Sequence, residues 1–208
     1  MKKYAAPLVL LSVSIASLTA APIVFHASLN GSSESPPNAS MGTGFALVTI
    51  DSVAHTMNVI SGFSGLMDVT TAAHIHVING PGDMDTTDTL GPVATTTPAF
   101  PDFPIGVTFG SYTRDFDTLQ ASTYRAQFVT DSGSIAEAET ELFAAIGSGR
   151  AYFNIHSEAF PAGEIRGFLT EIPEPASFGF AAIGLAGLTL GRLLRARATR
   201  KVLPAARQ

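Results

Sequence analysis

The segment from Ala151 to Leu169, AYFNIHSEAFPAGEIRGFL, carries the clearest secondary-structure signal in the chain. Apolar and polar residues alternate at its start, with Phe153 and Ile155 on one side and polar residues up to His156 on the other. Alternate residues of a β-strand share a face, so this pattern predicts a half-buried strand. A Pro-Ala-Gly turn follows, and the alternation resumes at Glu164. The segment therefore predicts a β-hairpin whose two polar faces adjoin.

A second strand with the same kind of polar face is predicted in Thr71–Asp83, TAAHIHVINGPGD. Its two histidines stand two residues apart and should point the same way, with isoleucine and valine on the opposite face. If this strand lies beside the hairpin, four polar side chains should lie close together. They are His74, His76, His156 and Glu164.

Three interpretations of this cluster are open. Three imidazoles and a carboxylate suit zinc or copper and require no cysteine. A general acid–base site could use a histidine with Glu164, but no nucleophile elbow or phosphate-binding loop accompanies it. The third interpretation is a polar network in which Glu164 pairs with Arg166 and the histidines bond to their neighbours.

Short alternating runs bounded by Gly, Pro, Asn and Asp recur through the middle of the chain and predict an all-β fold. We expect an antiparallel β-sandwich or barrel of the immunoglobulin-like or superoxide-dismutase-like kind. The predicted strands are 23–29, 42–50, 54–61, 72–78, 106–113, 123–129, 151–157 and 163–169. The predicted core includes Phe25, Leu29, Phe45, Ile75, Val77, Phe153, Ile155 and Ile165.

Two segments depart from this strand pattern. Ile135–Ile146 repeats its apolar residues near the helical spacing and predicts one short helix. Gly80–Pro104 is rich in Gly, Pro, Thr and Asp, which predicts a long loop that contributes little to the core. Within it, Asp83, Asp85 and Asp88 resemble the start of a calcium loop but lack its glycine and distal glutamate, which favours a solvated loop.

The central part of the chain is strongly acidic. Residues 22–172 hold sixteen Asp and Glu against four Arg, a formal charge of −12. Because phosphate contacts require basic side chains, this composition excludes nucleic-acid binding. The chain has no cysteine, so thiol catalysis, thiolate metal sites and disulfides are also excluded.

The N-terminus predicts export. Residues 1–21 read MKKYAAPLVLLSVSIASLTAA: two lysines, an apolar stretch and a small-residue cleavage site, which is the pattern of a secretory signal peptide. A buried N-terminal helix is the alternative, but it leaves the two lysines unexplained. Residues 22–171 are then the exported β domain.

The C-terminal segment 172–208 combines a Pro-Glu-Pro motif, an apolar stretch at 176–194 and a basic cluster. The stretch is long enough for a short transmembrane helix, and the arginines should stay cytoplasmic. In this order the features resemble the PEP-CTERM sorting signal, which implies recognition and removal by a membrane-embedded exosortase. The implied sorting residues are Pro173, Glu174, Pro175, Arg192, Arg195 and Arg197. A permanent C-terminal anchor is the alternative.

Three motifs follow one another along the central domain: LNGSSESPP, then AHIH, then NIHS followed by GEIRG. In these motifs the domain resembles the CHRD family, which implies an extracellular β-rich module usually without an assigned reaction. A fainter similarity links GFSGLMDVTTAAHIHVINGPGD to copper–zinc superoxide dismutases, which implies that His74 and His76 are metal ligands. The dismutase zinc-loop histidines and cysteines have no counterparts here, so dismutase activity does not follow.

From these features we expect an exported, surface-sorted, noncatalytic module of the envelope or extracellular matrix. Its expected partners are an exosortase-type enzyme, the membrane before processing, and a matrix polysaccharide or protein. The alternative is a metal-dependent copper or zinc redox enzyme that uses His74, His76 and His156.

Overall fold

The computed structural model describes residues 21–83 and 90–173, and within these residues the chain forms eight β-strands and two α-helices. The strands are β1 (Ile23–Asn30), β2 (Thr43–Asp51), β3 (Thr56–Ser64), β4 (Thr70–Val77), β5 (Gly110–Asp117), β6 (Ala151–Ser157), β7 (Ile165–Phe168) and β8 (Thr170–Glu171). The helices are α1 (Ala126–Ser132) and α2 (Ile135–Gly147).

The strands form one curled antiparallel sheet that resembles half of a barrel. Its order is β4-β6-β7-β1-β2-β3-β5, and β8 follows β7 along the same edge of β1. The predicted antiparallel β class and the predicted hairpin of β6 with β7 are confirmed. The expected sandwich is wrong for the described part of the chain, because its strands join a single sheet instead of two stacked sheets.

The inner face of the sheet carries the core. Seven of the eight residues predicted for it are buried, and the exception is Phe45, whose exposed fraction is 42%. On β2, the alternation places Ala46 and Val48 in the core and turns Phe45 outward. There its ring covers Gly62 of β3, where an added Cβ would lie 2.7 Å from the ring. The Phe45 ring therefore packs on the backbone of this glycine, outside the core.

The predicted helix is confirmed as α2, whereas α1 was not predicted. Ser134 caps α2 by accepting a hydrogen bond from the backbone N–H of Glu137. The predicted strand at 123–129 is wrong, because these residues leave a 3-10 turn and enter α1. Tyr124 and Phe128 share a face in either structure, and their rings pack with centroids 6.4 Å apart. Alternation over so short a run therefore did not separate strand from helix.

The segment between β4 and β5 contributes to the core, contrary to the sequence prediction. Phe100 is almost fully buried, and its ring stacks on Phe153 with the centroids 5.6 Å apart. The same segment follows the edge of β4: Phe100 N–H donates to Ala73 C=O, and Ala94 N–H donates to Ile75 C=O. This pairing holds the segment beside the two histidines of β4.

No helix among the described residues is long and apolar enough to cross a membrane. The predicted membrane helix at 176–194 and the basic cluster after it lie outside those residues. The predicted signal peptide also lies outside them, apart from Ala21.

Candidate metal centre

Strand pairing brings the three predicted histidines together. β4 pairs antiparallel with β6, placing His74 opposite Asn154 and Ala72 opposite His156. All three histidines therefore lie on the face of the sheet opposite Ile75 and its apolar neighbours, as predicted.

The three imidazoles form a close group, which we call the histidine triad: His74, His76 and His156. One ring nitrogen from each lies within 4.8 Å of the other two, and Nε2 of His156 is 3.0 Å from Nε2 of His74. The ring of His74 is 4.6 Å from that of His76 and 4.7 Å from that of His156, centroid to centroid.

Each imidazole of the triad is oriented by a backbone carbonyl. The Nδ1 atoms of His74, His76 and His156 lie 3.1, 2.7 and 2.9 Å from the carbonyl oxygens of Pro98, Gly91 and Pro161, respectively. A carbonyl oxygen only accepts hydrogen bonds, so each Nδ1 must carry the proton and donate it. In the neutral tautomer Nε2 then has a free lone pair on all three rings.

Burial keeps the triad uncharged. His74 and His156 are 6% and 8% exposed, and His76 is half-buried. Desolvation is the main cause that lowers the pKa of His74 to about 3 and of His76 to about 4, and it also lowers the pKa of His156. The neighbouring imidazoles lower the pKa of His74 further, because two adjacent rings cannot both become cationic cheaply.

A buried aromatic and a cation support His76 from one side. The Tyr152 ring stacks parallel to the His76 imidazole, with the centroids 4.6 Å apart, and the Arg166 guanidinium lies 4.7 Å above the Tyr152 ring. Arg166 also lies 3.8 Å from the carboxylate of Glu34. Burial raises the pKa of Glu34 to about 7, although the guanidinium opposes this shift. Neither Tyr152 nor Glu34 was among the residues that sequence analysis assigned to the site.

Glu164 does not join the triad. Its Oε1 accepts hydrogen bonds from the Ser40 hydroxyl and the Met67 backbone N–H, each at 2.6 Å. The group of potential metal ligands found among the described residues contains the three histidines alone. Of the four side chains expected to converge, the structure therefore brings three together. The carboxylate that the structure shows near Arg166 is that of Glu34.

The other acidic and sorting residues singled out in the sequence are not part of the triad. A further histidine, His55, pairs with Glu139 of α2 at 2.9 Å. The Asp83 carboxylate accepts from the backbone N–H of Asn79, and Asp85 and Asp88 lie outside the described residues. Of the predicted sorting residues only Pro173 is described. The others, Glu174, Pro175, Arg192, Arg195 and Arg197, lie beyond it.

The half-barrel sheet with its triad defines an antiparallel β module that carries a buried cluster of imidazoles. The family model of the CHRD domain matches residues 25–169, which is most of the chain and nearly all of the sheet. The chain therefore belongs to the CHRD family. No curated protein and no solved structure matches it.

Proposed function

We propose that this CHRD module is an exported, noncatalytic protein of the cell envelope or matrix that binds one zinc or copper ion at the histidine triad. The observation that carries the proposal is the common orientation of the imidazoles. All three Nδ1 atoms donate to backbone carbonyls, so three Nε2 lone pairs remain free in one buried cluster.

At least one of these lone pairs, that of His76, has no partner among the described residues. Nε2 of His76 is buried without a hydrogen-bond partner, and the Nε2 atoms of His74 and His156 face each other at 3.0 Å. Two bare lone pairs at this distance repel, and a buried unpaired acceptor costs about 1–3 kcal/mol. One proton between His74 and His156 would satisfy those two atoms but not His76. A metal ion satisfies all three.

The size of the cluster supports the same ligand. Zinc bonds to histidine nitrogen at ~2.0–2.1 Å in tetrahedral geometry, which places neighbouring ligand nitrogens about 3.3 Å apart. The triad has one such pair at 3.0 Å and all three nitrogens within 4.8 Å. One pair is therefore already near the spacing of zinc ligands, and we expect the third nitrogen to move closer when the ion binds.

The surroundings of the triad also match those of metal-binding histidines. Metal-ligating histidines usually donate their second ring N–H to a carbonyl or carboxylate, which fixes the tautomer and the ring orientation. The carbonyls of Pro98, Gly91 and Pro161 provide this arrangement for all three rings. Imidazole ligands without thiolates are compatible with both zinc and copper.

Metal titration tests the proposal directly. The full-length protein is stripped with a chelator, dialysed and titrated with zinc and with copper(II), and the bound metal is counted by elemental analysis. We expect one ion per chain, with binding lost in His76→Ala and His156→Ala. His26→Ala is the matched control, because His26 lies on β1 outside the triad. Equal weak binding by all four proteins would show that the histidines are structural.

Export and sorting form a separate part of the proposal, supported by the order of features at the two ends of the chain. We expect an exosortase-type enzyme to remove the apolar C-terminal helix, so that the mature surface protein ends before Ala181. Mass spectrometry of the surface fraction measures this end. Recovery of intact protein through Gln208 in the cytoplasmic membrane of an exosortase-containing strain would contradict it.

A metal-dependent redox enzyme at the same triad is the alternative function. It is favoured by the partial exposure of the His76 residue, which is less buried than the other two histidines. Copper-loaded protein that turns over a redox substrate, with His156→Ala inactive, would establish the enzyme in place of the noncatalytic module.

A further inference from the structure

We propose that a metal ion held by His74, His76 and His156 carries a small monovalent anion as its remaining ligand, and that Arg125 helps to attract this anion. The inference rests on the metal site proposed above and adds a ligand class to it. Four features of the structure support it: the number of ligands, their charge, the pairing of the arginines and the position of Arg125.

The triad leaves a coordination position open. Zinc sites are almost always four-coordinate, and a site with three protein ligands takes a water or an exogenous ligand in the fourth position. The one nearby candidate from the sequence, Glu164, is held by Ser40 and Met67 instead. Among the described residues, the candidate ligands are three imidazoles.

The charge around the triad favours an anion at the open position. Three neutral imidazoles leave the full charge of a divalent ion in a buried site, and burying uncompensated charge is costly. The group of potential ligands found among the described residues contains no carboxylate that could offset this charge. A cation lies close by instead: the Arg166 guanidinium is 4.7 Å from the Tyr152 ring, which stacks on His76.

Arg125 differs from the other arginines of the module. Residues 22–172 contain four arginines against sixteen acidic residues. Three of the four face a carboxylate: Arg114 that of Asp102, Arg150 that of Glu141 and Arg166 that of Glu34. Within residues 21–83 and 90–173, the structure shows no such partner for Arg125. Among the described residues, Arg125 is therefore the exception in an acidic domain whose other arginines face carboxylates.

The backbone places Arg125 close to the histidine strand. Its N–H donates to Ala94 C=O at 3.0 Å, and Ala94 N–H donates to Ile75 C=O at 2.9 Å, between the two histidines of β4. Arg125 is exposed, so an approaching anion meets its charge in solvent. A local positive charge raises the concentration of anions near it, even where the remaining surface repels them.

Cobalt(II) and azide provide the test. Cobalt replaces zinc in the full-length protein and reports its ligands through visible absorption, and sodium azide is the anion probe. We expect a saturable spectral change on adding azide at constant ionic strength. Arg125→Ala should weaken azide binding about three- to fivefold, as expected for one partly screened charge, without changing cobalt affinity. Arg125→Lys should retain most of it.

The matched control is Arg114→Ala, which removes the same charge from an arginine of β5 that faces Asp102. Equal weakening by both alanine variants would overturn the role of Arg125. A cobalt spectrum that azide does not change would overturn the anion site while leaving the metal site intact. Absence of cobalt binding would overturn the anion site and the proposed function together.

Discussion

Replacement of two phenylalanines tests which face of the sheet is buried in the core. Phe153 is fully buried on β6 and stacks on Phe100, whereas Phe45 is 42% exposed on β2 and covers Gly62. The amino-acid pattern alone placed both in the core. Phe153→Ala and Phe45→Ala therefore remove the same atoms from environments that only the structure distinguishes.

The expected costs differ severalfold. Truncation of a fully buried phenylalanine removes its transfer free energy and leaves a cavity, which typically costs about 3–5 kcal/mol. Phe45 leaves no enclosed cavity and loses only part of the apolar burial of its ring, so its truncation should cost about 1 kcal/mol. Phe153→Leu keeps most of the volume and should cost less than Phe153→Ala.

Urea denaturation of the metal-free proteins measures these differences. With a slope of about 2 kcal/mol per M, Phe153→Ala should lower the unfolding midpoint by about 2 M and Phe45→Ala by about 0.5 M. Similar midpoints for the two alanine variants would refute the assignment of the two faces. Phe153 points away from the histidines, so Phe153→Leu should still bind one metal ion.

Two further predictions concern the triad. In the metal-free protein, burial holds the pKa of His74 near 3 and of His76 near 4, while the unfolded chain takes up these protons near pH 6.5. The free energy of unfolding should therefore fall by about 3 kcal/mol for each of these two histidines as the pH drops from 6.5 to 4. Urea titration should find this loss reduced in a His74→Leu, His76→Leu double variant. Tyr152→Leu removes the ring stacked on His76 and should weaken zinc binding about tenfold. Tyr152→Phe keeps the ring and should bind zinc normally. Equal zinc affinities of the two variants in a competition assay would contradict the role of the ring in orienting His76.

The parts of the fold that sequence analysis predicted well are those with a strong local period. Strands β4 and β6 alternate clearly, so the polar face of each strand could be expected before the structure. That the two strands are neighbours was a condition of the sequence argument, and the structure shows it. The helical period of α2 was equally clear. Phe45 was misplaced because its strand carries apolar residues on both faces, and apolar character alone does not show which face is buried.

The parts that sequence analysis missed depend on contacts between distant segments. The acceptors for the triad are main-chain carbonyls, which leave no signature in the identity of a side chain. Glu164 has the right spacing for the polar face, but it lies in the turn before β7, and Ser40 and Met67 hold its carboxylate. The alternation of side chains along the strand therefore does not continue into that turn.

The segment from Gly91 to Phe100 contributes both to the core and to the geometry of the triad. Phe100 is buried in the core. The backbone carbonyls of Pro98 and Gly91 orient His74 and His76, respectively. Since the core holds this segment in place, the rings keep one tautomer without help from a bound ion. The fold thus maintains three lone pairs in an arrangement that costs free energy when empty. Such a local cost is expected where a protein is organised for a ligand, because the ligand returns it on binding. This cost is our reason for proposing a preorganised metal site at the triad, and the metal titration decides between that site and a polar network that stabilises the sheet.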